Sequence, residues 1–281
     1  MFRQKIGLAL GGGGPKGLAH VGVIKTLEKY HIPIDYIAGT SVGAVVGGFY
    51  ALTKDIGSIE KYVMDKNWFQ MLSYLSDPSL QSGIFQGSRL ESYIEGYVKG
   101  AAIESTKIPF IAVAADLRTA KKVELKSGPL SQAIRASSSI PMLFKPVSIG
   151  AYLLTDGAVV SSVPVETVKK MGADIVIAVQ LNNEYEEDKA IEKANFIKIG
   201  EASFSIMARG IAKEEVKKAD VLIKPNVSDI GWKSMLKQTE KVVGIESGIH
   251  AMEKHIALLE VIMKKNIIER FFSNLAKSFR G

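Results

Sequence analysis

Gly39-Thr40-Ser41-Val42-Gly43 stands between two apolar runs of different character. Before it, Ile34-Asp35-Tyr36-Ile37-Ala38 predicts a short buried strand. After it, residues 44–52 predict a helix with small residues on one face. A serine between two glycines at a strand-to-helix junction fits a nucleophile elbow. So sharp a turn would hold Ser41 in a strained backbone with its hydroxyl exposed. Gly39 and Gly43 would then be required, because a Cβ at either place would collide with the neighbouring strand or helix. The start of the helix also places partial positive charge near the attacking oxygen. Taken alone, the pentapeptide also fits a helix N-cap at Ser41, or chance.

Just upstream, residues 5–10 predict a strand and residues 18–30 a helix, joined by Gly11-Gly12-Gly13-Gly14-Pro15-Lys16-Gly17. Strand, glycine loop and helix together present backbone N–H groups to an anion. One candidate anion is a phosphate. The Rossmann spacing is poorly matched, and where a P-loop needs Lys-Ser/Thr the chain has Leu18-Ala19. The other is the oxyanion of a tetrahedral intermediate. One βαβ step separates the loop from Ser41, so both would open at the same edge of adjacent parallel strands, which favours the oxyanion. His20, on the first helix, is read as a packed or surface histidine rather than a base.

Further along, residues 55–65 and 89–99 predict helices. Between them the stretch 67–88 is rich in apolar side chains and poor in charge, which fits a lid or acyl channel as well as ordinary core. Strands are predicted at 108–115, 122–125, 173–181 and 221–224, with a strand pair at 145–155 turning at Gly150. Helices are predicted at 130–138 and 164–171, and another ends near 219; 182–193 reads as a polar loop, and 234–279 as helical in two or more pieces. Strands alternating with helices indicate an α/β fold with a mostly parallel central sheet covered on both faces. Asp156-Gly157-Ala158 closes the strand pair. Asp-Gly is a common turn signal, but a strand end is also where an α/β fold keeps a base. No repeat or linker divides the 281 residues, so one domain is expected, with 226–281 a helical extension packed on or flanking it.

Composition narrows the function classes. Apolar residues make up 47% and charged residues 23%, as in ordinary globular proteins. There is no cysteine, so thiolate chemistry, disulfides and Cys-based zinc sites are excluded. No run approaches the ~18 apolar residues of a membrane span, and the N-terminus lacks the pattern of a secretory signal. A net charge of +7 favours anionic partners. With no zinc finger, RNA-recognition signature or long basic block, a membrane surface ranks above nucleic acid, and none of the latter is expected to bind. The expected location is the cytoplasm, with peripheral contact on the inner face of the membrane.

Three elements stand in order: Gly11 to Gly17, Gly39-Thr40-Ser41-Val42-Gly43-Ala44, and Asp156-Gly157-Ala158. Together they resemble the patatin-like phospholipases, over roughly residues 5–225. Supporting stretches are Gly17-Leu18-Ala19-His20-Val21-Gly22-Val23, Gly83-Ile84-Phe85-Gln86-Gly87 and Ala136-Ser137-Ser138-Ser139-Ile140-Pro141. The short form is similar to the small bacterial members. The resemblance implies a lipid acyl hydrolase with a serine–aspartate dyad, Ser41 as nucleophile and Asp156 as general base, with no histidine. It implies an oxyanion hole from the N–H groups of Gly12, Gly13 and Gly14, flanked by Lys16, Gly17, Gly39, Gly43 and Gly157. Neither metal nor organic cofactor is called for. A triad would have to draw on His250 or His255, in the C-terminal helical region.

Two other classes remain open at this level. The glycine loop could serve a nucleotide- or phosphate-binding module, or the fold could be a membrane-associated adaptor with weak hydrolysis. The expected partner is a lipid or other ester substrate. From 258 to 279 an aromatic-rich apolar stripe alternates with basic residues, which predicts peripheral contact with anionic membrane beyond about residue 266.

Overall fold

The computed structural model describes residues 3–65, 85–182, 189–231 and 237–278. The stretch 67–88, which fitted a lid or acyl channel as well as ordinary core, lies largely outside these residues. Strand β1 (Ile6–Leu10) leads through a tight 3₁₀ turn (Gly14–Gly17) into α1 (Leu18–Lys29). Strand β2 (Tyr36–Thr40) leads through Ser41 into α2 (Val42–Thr53), followed by α3 (Ile56–Met64) and α4 (Ser88–Val98). Then come β3 (Phe110–Asp116), β4 (Lys121–Leu125), α5 (Leu130–Ser137), β5 (Val147–Ile149) and β6 (Tyr152–Asp156). The chain ends with α6 (Val165–Lys170), β7 (Ile175–Val179), α7 (Phe196–Glu215), β8 (Val221–Ile223) and α8 (Gln238–Ser278).

The strands form one sheet in the order β5-β6-β3-β2-β1-β7-β8, with β4 paired to β3 off this path. The five strands from β3 to β8 run parallel, and β4, β5 and β6 pair antiparallel. The order places β2 and β7 on opposite sides of β1, so the chain changes direction across the sheet at β1. That switch point, at the carboxyl ends of the strands, is where open α/β sheets bind ligands. The glycine loop leaves β1 there.

Residue alternation along β1 separates two cores. Ile6, Leu8 and Leu10 join the larger core with residues of α1, α2 and α8. Ala9 faces the opposite core, where Val165 and Val168 of α6 and Ala212 of α7 pack. Helices therefore cover both faces, and the α/β expectation holds.

α8 is one helix rather than the two or more pieces expected. It contains no proline to interrupt it. Its glycines mark a close crossing instead of a break. A Cβ on Gly248 would lie 2.0 Å from the Ala19 carbonyl oxygen, and one on Gly22 of α1 would lie 2.0 Å from that of Ile245. Met252, Ile256 and Leu259 are buried in the same core. The basic stripe proposed beyond 266 falls outside the described side chains.

Candidate active site

The elbow geometry follows from the two glycines. Ser41 has φ 54° and ψ −124°, a left-handed conformation that costs a non-glycine residue about 1–3 kcal/mol. A Cβ on Gly39 would lie 2.3 Å from the Gly43 carbonyl oxygen, inside the first turn of α2. A Cβ on Gly43 would lie 2.2 Å from that of Leu10, at the end of β1. Both glycines are thus excluded from bearing side chains by backbone atoms, which cannot move aside cheaply. Ser41 makes no side-chain capping bond to α2, so its hydroxyl is not spent as an N-cap. Its carbonyl instead accepts the N–H groups of Ala44 (2.8 Å) and Val45 (3.1 Å). Ser41 is buried rather than exposed as expected, at 5% exposure, because the glycine loop and Asp156 close around it at the floor of a cavity.

Ser137, at the end of α5, braces the turn. Its buried hydroxyl accepts the Ser41 N–H at 2.9 Å and donates to the Val113 carbonyl at 2.6 Å. In the sequence the serine run 137–139 carries no mark of this role; its partners lie 96 and 24 residues away.

Asp156 reaches Ser41 through the edge of β3. On that edge Thr40 of β2 is opposite Val113, and Asp156 of β6 is opposite Ala114. β4 overlaps both stretches, pairing 112–116, so it occupies the other edge. β2 and β6 therefore run toward each other along one edge of β3, and their ends meet. Gly157 makes the meeting possible: a Cβ there would lie 2.2 Å from the Val113 carbonyl oxygen. Asp-Gly is here a close backbone approach, not merely a surface turn.

The Asp156 carboxyl is fully buried. Burial pushes its pKa up to about 6, against the opposing pull of the Ala158 N–H and the Ser41 hydroxyl. Oδ1 accepts the Ala158 N–H at 2.9 Å. Oδ2 completes no hydrogen bond. The Ser41 hydroxyl is thus near enough to draw the pKa down, but the pair falls short of a formed bond, as is common in an unliganded site.

The glycine loop lies beside this pair. A Cβ on Gly12 would lie 3.5 Å from Ser41 Cβ and 3.6 Å from Ala158 Cβ, and one on Gly17 would lie 2.0 Å from Val42 Cγ2. The loop is tied down by the Gly11 N–H on the Val179 carbonyl and the Gly12 N–H on the Ser162 carbonyl, both at 3.0 Å. Gly12 was expected to contribute to an oxyanion hole; its donor is already committed to a carbonyl 150 residues away in sequence. Among the described residues no acceptor takes the N–H of Gly13 or Gly14. Lys16 is half-buried in the 3₁₀ turn and lines the same cavity.

The four histidines do not meet Ser41. His20 is fully buried, and burial pushes its pKa down to about 4. Its Nε2 donates to the Gly11 carbonyl at 2.8 Å, so the neutral ring holds the glycine loop from below. His250 and His255 lie on α8, where their Nδ1 atoms contact the Glu246 and Ala251 carbonyls. They line a separate cavity beside β8. His31 follows α1 on the surface. Among the described residues no group of three or more His, Cys, Asp or Glu could hold a metal ion.

A cavity of about 320 Å³ opens over Ser41, Asp156 and Gly12 to Gly14. Its far wall is α7, through Glu201, Ala202, Ser205 and Ala208. Sequence reading missed this wall, because nothing local to 196–215 sets it apart from any amphipathic helix. Glu215, at the end of α7, anchors the helix: it accepts the Ser161 hydroxyl and the Val163 N–H, beside the carbonyl that holds Gly12. No described helix is long and apolar enough to cross a membrane.

A strained serine between strand and helix, a buried carboxylate at the end of the opposing strand and a glycine loop meet at one cavity of an α/β scaffold. The chain belongs to the patatin-like phospholipase family, whose model matches residues 8–169. The match includes all three motifs and stops short of β7 and β8. An uncharacterized NTE family protein of Mycobacterium tuberculosis is 38% identical over 184 residues, 63% of this chain and 49% of that protein. The lysophospholipase NTE1 of Debaryomyces hansenii is 35% identical over 199 residues, 65% of this chain but 12% of that one. The chain thus spans about half the length of the mycobacterial relative and a small part of the yeast one. Among solved structures, VipD of Legionella pneumophila shares the fold, with a TM-score of 0.51 at 13% identity over 90% of this chain and 66% of that one.

Proposed function

We propose that the protein is a serine acyl hydrolase acting on lipid esters, with Ser41 as nucleophile and Asp156 as general base. The observation that carries this reading is the desolvated Asp156 carboxylate, whose Oδ2 completes no bond and faces the strained Ser41. Asp156 takes the hydroxyl proton as Ser41 Oγ attacks the ester carbonyl carbon. The carbonyl oxygen becomes an oxyanion held by the N–H groups of Gly13 and Gly14. Asp156 then gives its proton to the departing alcohol as the carbon–oxygen bond breaks, leaving an acyl-serine. Water, deprotonated by Asp156, releases the acid and restores the hydroxyl. A base with a pKa near 6 suits this cycle, being ionised at neutral pH yet able to hold a proton transiently. The name of the yeast relative supports a lipid ester as substrate.

Labelling with a fluorophosphonate probe, followed by peptide mapping, tests the reading. The modified residue should be Ser41, and Ser41→Ala should abolish both labelling and hydrolysis of short-chain nitrophenyl esters. Labelling elsewhere, or undiminished turnover by folded Ser41→Ala, refutes it.

A further inference from the structure

An oxyanion hole needs N–H groups held in a fixed direction. Gly12, Gly13 and Gly14 have no side chains to hold them, and glycine has the least restrained backbone of any residue. The restraint has to come from outside the loop. The peptide between Gly11 and Gly12 is the last one gripped by its N–H before the open donors of Gly13 and Gly14. It is held at both ends. Its carbonyl, on Gly11, accepts the Nε2–H of His20 at 2.8 Å. Its N–H, on Gly12, donates to the Ser162 carbonyl at 3.0 Å.

The chain of bonds continues to α7. The Ser162 carbonyl shares a peptide with the N–H of Val163, and in a planar trans peptide the two point in opposite directions. The Val163 N–H therefore points away from the loop, where Glu215 Oε2 accepts it at 2.8 Å. The other carboxyl oxygen, Oε1, accepts the Ser161 hydroxyl at 2.5 Å. The Ser161 carbonyl in turn accepts the hydroxyl of Thr40, the neighbour of Ser41, at 2.9 Å. Three hydrogen bonds thus run in one sense, from the His20 imidazole through two peptides to the Glu215 carboxyl. Bonds aligned in this way polarise and strengthen one another in a low-dielectric interior.

Neither end of the chain is an easy place for a polar side chain. His20 is fully buried, and its Nδ1 has no hydrogen-bond partner among the described residues. An apolar side chain would fill that space without desolvating a ring nitrogen; what the imidazole adds is its one bond to the loop. Glu215 is the last residue of α7, the end at which the helix dipole disfavours a carboxylate. Burial pushes its pKa up, against the pull of the Ser161 hydroxyl, the Val163 N–H and the Lys122 charge.

We propose that His20 and Glu215 are positioning residues for the oxyanion hole, holding the Gly11–Gly12 peptide from opposite ends so that the N–H groups of Gly13 and Gly14 stay open to the cavity over Ser41. The proposal rests on the acyl-hydrolase reading above.

The test compares His20→Leu, Glu215→Leu and the double variant with the unaltered protein on a short-chain nitrophenyl ester, below their melting temperatures. Each single change should lower kcat about tenfold or more and alter KM less than about twofold, because an oxyanion hole acts in the transition state. A trifluoromethyl ketone, whose tetrahedral adduct on serine carries the oxyanion, should lose affinity by the same factor as kcat/KM. His20→Gln restores a donor and Glu215→Gln an acceptor, so both should recover most of the loss. The double variant should be no slower than the worse single one, since both changes release the same peptide. If a leucine variant does not fold, His20→Asn or Glu215→Asp, polar but too short for the contact, takes its place. Full kcat in the folded variants, losses confined to KM, or single losses that multiply in the double variant overturn the proposal. Failure of the acyl-hydrolase reading would appear in the unaltered protein itself, as no turnover and no fluorophosphonate label on Ser41, and would take this proposal with it; failure of the proposal alone leaves that label in place.

Discussion

Replacing Asp156 by asparagine probes the site through the folding equilibrium as well as through turnover. Burial raises the carboxyl from 3.8 to about 6 in the folded chain. An acid with a raised folded pKa contributes its full stability below its unfolded value and loses it as pH rises through the folded one. Ionised Asp156 therefore costs the fold about 3 kcal/mol above pH 7. Asparagine carries no charge and removes that pH-dependent cost. Its Oδ1 can keep the 2.9 Å bond from Ala158. Its NH₂ group stands where Oδ2 completes no bond, which adds a penalty of about 1–3 kcal/mol that is independent of pH. The diagnostic quantity is thus the change in the stability difference with pH, not its sign at one pH. Urea denaturation of both proteins at about pH 4 and about pH 8 should show the difference moving by about 2–3 kcal/mol in favour of Asp156→Asn. Turnover of a soluble ester should fall by about 10²–10⁴-fold, as expected for loss of a general base. In the unaltered enzyme, kcat/KM should decline about tenfold per pH unit below about 6. A stability difference that stays constant between the two pH values would falsify the assignment of Asp156 as a desolvated base.

Three further outcomes are expected. Gly43→Ala should fail to fold or lose several kcal/mol, because its methyl would meet the Leu10 carbonyl at 2.2 Å, whereas Gly12→Ala should fold and lose turnover, its methyl standing 3.5 Å from Ser41 Cβ; thermal melts and ester kinetics separate the two. Ser137→Ala should destabilise by about 2 kcal/mol or more and lower kcat, since the Ser41 N–H and the Val113 carbonyl would both lose a buried partner; near-native stability in chemical denaturation would count against its bracing role. His250→Ala and His255→Ala should retain nearly full ester hydrolysis, and a dead variant at either position would replace the dyad by a triad.

How much of this was legible beforehand depends on the range over which each cause acts. The alternation of strands and helices, the elbow at Ser41 and the need for glycine at 39 and 43 follow from periodicity and local sterics. These act within a few residues, and the folded chain bears them out. The glycine loop was legible as a set of backbone donors, but not which donors stay open. Gly12 is spent on the Ser162 carbonyl because that distant segment returns beneath the loop. Asp-Gly at 156–157 read equally as a turn or a base; only the shared edge of β3, which aims β2 and β6 at each other, brings the carboxylate to the serine and strips its water. The continuity of α8 was missed because Gly244 and Gly248 weaken a helix by propensity alone, while packing against α1 supplies the compensation. The place of α7 in the cavity wall was invisible for a related reason. A periodic stripe states that one side of a helix differs from the other; which side meets the core is decided by the elements on which the helix lands.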